Sequence, residues 1–126
     1  MAVPFISDDI RRFLHTSVPS VPYLEALLLL RSDTAHDWSA VRLACALYTN
    51  ETIAKGLLEA LHAGSIVVAS SVGTFRYDPA TAELRQLIDS LAAVYAANLV
   101  EVTHLIHARS NSKALRFADA FVWRKE

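Results

Sequence analysis

The sequence predicts an α+β fold that is mostly helical, and three observations lead there. Apolar residues recur at three- and four-residue intervals through most of the chain. Only the stretch 66–77 departs from that period, placing β-branched residues on either side of a tight turn at Ser71–Gly73. The composition, 126 residues with 53% hydrophobic and 20% charged side chains and only three Gly and four Pro, supports one compact core and excludes disordered, collagen-like and low-complexity chains.

The elements follow in order. Ser7 and Asp8 are able to cap a first short helix whose Ile10, Phe13 and Leu14 share one face, with Asp9, Arg11 and Arg12 on the other. Pro19 and Pro22 flank Ser20 at the start of a second helix, Tyr23 to Arg31, in which Leu24, Leu27, Leu28 and Leu30 leave little polar surface. After the polar stretch Ser32–Asp37, Ser39 caps a helix of about two turns carrying Val41, Leu43, Ala44 and Leu47, with Trp38 before it as a hydrophobic staple. A break at Tyr48–Thr49 leads to Asn50, the cap of a helix with Ile53, Ala54, Leu57, Leu58 and Leu61 inward and Gly64 at its end.

A hairpin then pairs Ile66–Val68 with Thr74–Tyr77. Asp78 and Pro79 open the longest predicted element, a helix from Ala80 to about Arg109 with Leu84, Leu87, Ile88, Leu91, Tyr95, Leu99, Val102, Leu105 and Ile106 in one stripe. At about 1.5 Å per residue it extends some 45 Å, more than a domain this small needs for itself. A short last helix carries Leu115, Phe117, Ala118 and Phe121. The chain is one domain, 1–126, with a unit at 20–78 and a helical region at 79–126.

Charge and cysteine content limit the function classes. A formal charge of −1 gives no general attraction to nucleic acid or anionic membrane, so any such binding is local. Charge gathers at one place: Arg109, Lys113, Arg116, Arg124 and Lys125 stand against Asp119. This basic end either tracks phosphates or forms the solvated face of the last helix. The single Cys45, read as a buried thiol, makes no intramolecular disulfide, and the N-terminus lacks the basic-then-apolar pattern of a secretory leader, so a cytoplasmic location is expected. No apolar run approaches the ~20 residues of a membrane span.

Helix, short helix, three-residue turn, third helix and hairpin is an order similar to that of the bacterial winged helix-turn-helix regulators. The MarR-like and PadR-like groups are nearest, because a long helix follows the hairpin. The residues that carry the resemblance are Ser39–Leu47, Tyr48–Asn50, Glu51–Ala63, Gly64–Val68 and Thr74–Tyr77. The resemblance implies a DNA-binding transcriptional regulator whose third helix enters the major groove, with Arg42, Asn50, Thr52, Lys55 and Arg76 as its DNA contacts. Against this, the outward residues of that helix include one Lys and two Glu, Glu51 and Glu59, whereas phosphates are held mostly by Arg and Lys. The alternative is a winged-helix shell that binds a protein and no DNA.

The long stripe has the three-four spacing of a helix-pairing seam, which predicts a homodimer through Leu84, Ile88, Leu91, Tyr95, Leu99, Val102 and Ile106, with Phe117 and Phe121 of the last helix. Such a dimer presents two recognition helices to a palindromic site. Glu101, His104 and His107 lie on successive helical turns, but no second ligand group accompanies them. They read as helix-surface or seam residues, and no metal, cofactor or catalysis is expected; a phosphate-cradling glycine loop is missing too. Tyr23, Trp38, Tyr95, Phe117 and Phe121 either line an apolar cavity or are ordinary core.

Overall fold

The computed structural model describes residues 6–108, an α+β arrangement of six helices and one three-stranded antiparallel sheet. The elements are α1 (Asp8–Ser17), α2 (Val21–Ser32), β1 (Trp38–Ser39), α3 (Ala40–Leu47), α4 (Glu51–Ala63), β2 (Val67–Ser71), β3 (Thr74–Tyr77), α5 (Ala82–Ala97) and α6 (Leu99–Ala108). No single helix among the described residues is long and apolar enough to cross a membrane. The predicted last helix, with Phe117, Phe121 and the basic cluster, lies outside the described residues.

Three of the predicted caps are made. Ser7 Oγ accepts from the Ile10 N–H at 3.3 Å, Ser39 Oγ from the Arg42 N–H at 3.1 Å and Asn50 Oδ1 from the Ile53 N–H at 2.8 Å. Each satisfies an amide that the first helical turn leaves without an intrahelical partner. The end of α4 differs in detail: Gly64 keeps a negative φ, and Ser65 takes the left-handed conformation at φ 63°. The Ser65 and Ile66 amides then bond the carbonyls of His62 and Leu61, both at 3.1 Å, which closes the helix and starts the sheet.

Two sequence expectations are corrected. Trp38 is a strand residue as well as the neighbour of a cap: β1 adds to the hairpin with Trp38 opposite Phe75 and Ser39 opposite Thr74, giving the order β1-β3-β2. Two residues are too short a run to show period-two patterning. The long helix is not continuous. It begins at Ala82, with Thr81 Oγ1 accepting from the Leu84 N–H at 3.0 Å, and it breaks at Asn98, where the axis bends by 113°. The Asn98 side-chain amide donates to the Val94 carbonyl at 3.3 Å, and its own carbonyl accepts from the Val102 N–H at 3.0 Å. Asparagine bonds nearby backbone as readily as it sustains a helix, so it ends one segment and heads the next.

The backbone divides into two compact units. Pro22–Ala92 holds the sheet and the helices around it, and α3 packs on α4 while α4 packs on β2. Its core includes Leu24, Leu27, Leu30, Trp38, Leu43, Leu58, Leu61, Ile66, Tyr77, Ile88 and Leu91. In the other unit, α1 joins the described residues from Ala93 to Ala108. There Ile10, Phe13, Leu14, Val94, Val102 and Ile106 are buried, and Arg11 meets Glu101 at 3.4 Å.

Candidate interaction face

The face begins with a helix pair and the turn that joins it. Leu43 and Ala44 are the buried residues of α3, and Ala54, Leu58 and Leu61 those of α4. With those positions inward, helical geometry sets Val41, Cys45 and Tyr48, at i, i+4 and i+7, along the outer side. All three are exposed, Val41 by 56% and Tyr48 by 97%, and Ile53 on the first turn of α4 is 49% exposed. Cys45 is therefore a surface thiol, which corrects its reading as buried.

Tyr48 is unusual on a second count. It closes α3 in the left-handed conformation, φ 55° and ψ 44°, while its N–H and that of Thr49 bond the last carbonyls of the helix. That backbone region costs a bulky L-residue roughly 1–2 kcal/mol. An almost wholly exposed ring returns no burial against that cost.

Of the five residues assigned to DNA, two arginines are engaged by neighbouring carboxylates. Arg42 Nη2 bonds Asp33 Oδ2 at 2.6 Å, Nη1 donates to the Asp37 carbonyl at 3.1 Å, and the guanidinium covers the Trp38 ring with its carbon 3.8 Å from the centroid. Arg76 reaches Asp37 Oδ1 with Nε at 3.0 Å and Nη2 at 2.8 Å. Asn50 uses its side-chain oxygen as the α4 cap. Thr52 and Lys55 stay on the open side of α4, beside Glu51 and Glu59.

Asp33 also meets His36 Nδ1 at 2.9 Å, and the hydrogen bonds from His36 and Arg42 hold its carboxyl below the usual range. The surroundings of α3 and α4 thus hold three cations, Arg42, Lys55 and Arg76, against the four carboxylates of Asp33, Asp37, Glu51 and Glu59. At the hairpin, Val72 is fully exposed at the tip, and Phe75 stacks at a tilt on His62, ring centroids 5.5 Å apart.

The dimerisation residues are distributed differently from a single seam. Ile88 and Leu91 are fully buried in one unit and Val102 and Ile106 in the other, Leu84 and Tyr95 are half-buried, and Leu99 is exposed beyond the break. Side chains that fill an internal core present no surface to a second copy. Tyr23 and Trp38 are core residues as well. Glu101 pairs with Arg11, and among the described residues no group of three or more His, Cys, Asp or Glu side chains stands close enough to hold a metal.

The exposed residues that matter here, Val41, Cys45, Tyr48 and Ile53, are ones the periodicity assigned to a core face or a break. Their signal was present in the i, i+4, i+7 spacing, which is equally apolar on two sides of α3. Comparison with family models, with characterised proteins and with solved structures finds no match to this chain.

Proposed function

We propose that the chain is a protein-interaction module of winged-helix type, in which Pro22–Ala92 supplies the helix-turn-helix and hairpin and the outer side of α3 and α4 receives a protein partner. One observation carries this: Val41, Cys45, Tyr48 and Ile53 stand exposed on α3 and the first turn of α4, while Arg42 and Arg76 are bonded to Asp33 and Asp37. Phosphate binding relies on cations that are free to replace counterions. A protein interface relies on apolar and aromatic anchors inside a polar rim. The exposed lone thiol suits a reducing compartment such as the cytoplasm.

The competing reading, a homodimeric DNA-binding regulator, keeps Thr52 and Lys55 as its open contacts. The two separate in a mobility-shift titration of full-length protein against fragmented genomic DNA at low and moderate salt. The interaction module is expected to leave DNA unshifted even at low salt while circular dichroism records a folded protein. Retention that falls steeply with salt and disappears in Lys55→Glu overturns the proposal.

A further inference from the structure

We propose that Arg42 and Arg76 form a phosphate-binding pair that the chain keeps shut with its own carboxylates, Asp33 and Asp37 of the loop between α2 and β1. The inference rests on the interaction reading above, in which the wild type leaves DNA unbound, and supplies its cause. The two arginines come from different elements, the first turn of α3 and β3, and one loop residue gathers them. The Asp37 carbonyl accepts from Arg42 Nη1 at 3.1 Å, and its carboxylate Oδ1 accepts from Arg76 Nε at 3.0 Å and Nη2 at 2.8 Å. Asp33 Oδ2 accepts from Arg42 Nη2 at 2.6 Å. Both guanidiniums therefore already hold carboxylate oxygens, and both reach the surface, Arg42 39% and Arg76 51% exposed.

Carboxylate and phosphate are gripped by the same planar fork of N–H donors, so a guanidinium seated on one is shaped for the other. Each of the two makes two hydrogen bonds to described residues, fewer than its N–H groups allow. Arg42 is also positioned by stacking: its guanidinium carbon lies 3.8 Å from the centroid of Trp38, a buried ring tied through Nε1 to the Asp33 carbonyl at 3.2 Å. The loop is fastened from its own side as well, by His36 Nδ1 on Asp33 Oδ1 at 2.9 Å. Carboxylates tethered in the same chain act at high effective concentration, and an arriving phosphate has to displace both. With Asp33 and Asp37 ionised, each cation is matched by an anion. Without those two charges, the pair offers what phosphate binding requires, cations free to replace counterions.

The test uses the full-length chain and a fluorescein-labelled DNA duplex, read by fluorescence anisotropy at low salt. Asp33→Asn/Asp37→Asn is compared with Asp8→Asn/Asp9→Asn, which removes the same formal charge from exposed positions in α1. The first is expected to bind at least about tenfold more tightly than the second, to weaken steeply with salt, and to lose the gain when Arg42→Gln and Arg76→Gln are added. Asp37→Asn alone retains an oxygen for Arg76 and the bond between Asp33 and Arg42, so it keeps the comparison readable where circular dichroism finds the double variant unfolded. It is expected to gain at least about threefold over Asp8→Asn. Inorganic phosphate that displaces the duplex at constant ionic strength marks a site for single phosphate groups, and a duplex that resists it marks one for the run of phosphates along nucleic acid. A smaller difference in the charge-matched comparison, or a gain that survives the arginine substitutions, overturns the inference. Retention of DNA by the wild type instead overturns the interaction reading, so the two failures are distinguishable.

Discussion

Arg42 lies over the indole of Trp38, its guanidinium carbon 3.8 Å from the ring centroid, and from that position it bonds Asp33 at 2.6 Å. Cation, ring and carboxylate form one cluster at the start of α3, completed by the Trp38 Nε1–H, which donates to the Asp33 carbonyl at 3.2 Å. The cluster makes stability depend on acid. A carboxyl whose folded pKa is lowered stabilises the protein above its unfolded value and loses that contribution as pH falls through the folded one. Asp33, lowered first by His36 and then by Arg42, therefore contributes fully above about pH 4 and progressively less below it. Urea titrations from pH 7 to pH 2 are expected to show a smaller loss of stability on acidification in Asp33→Asn than in the wild type; parallel pH profiles would refute this.

Ser65 and Tyr48 both close helices with positive φ, at 63° and 55°. Glycine removes a left-handed cost of roughly 1–2 kcal/mol and adds about 0.5–1 kcal/mol of unfolded-state entropy, so relief wins by about 0.5 kcal/mol. Ser65→Gly and Tyr48→Gly are each expected to raise the denaturation midpoint.

Tyr77 is a buried residue of β3, and among the described residues its buried hydroxyl has no hydrogen-bond partner. Burial, then the nearby Asp89 carboxylate, raises its pKa. An unsatisfied buried hydroxyl costs about 1–3 kcal/mol, whereas the ring's burial is kept in phenylalanine. Tyr77→Phe is expected to stabilise the fold by about 1 kcal/mol in urea denaturation, and a loss of stability would show that the hydroxyl is satisfied.

Asn50 acts as a cap in this structure, through Oδ1 to the Ile53 N–H at 2.8 Å. Asn50→Ala is expected to lose about 1 kcal/mol of stability, and Asn50→Asp or Asn50→Ser to retain most of it. An alanine variant as stable as the wild type would assign the side chain elsewhere.

Much of this architecture was legible because its signals are local. Ser7, Ser39 and Asn50 announce three helix starts by side-chain chemistry alone, and Gly73, at φ 77°, marks the hairpin turn that the sequence places at 71–73. The failures come from information that one segment does not carry. Apolar spacing ran unbroken past Asn98, so the stripe looked continuous where a side-chain amide ended the helix. In α3 nearly every position is apolar, and only packing against α4 decides that Leu43 and Ala44 go inward while Val41 and Cys45 stay out. Arg42 and Arg76 were legible as cations, but their partners Asp33 and Asp37 come from a loop whose course depends on β1 joining the sheet.

Ser39 performs two tasks at once, standing opposite Thr74 in the sheet and capping α3 through the Arg42 amide. Asp37 beside it grips Arg76 of the same returning strand. The start of α3 and the hairpin are therefore expected to open as one unit: in native-state hydrogen exchange the amides of Arg42 and of β3 are expected to share an opening free energy and to respond together to denaturant. A ligand or substitution at the hairpin tip is accordingly expected to change the protection of the first turn of α3.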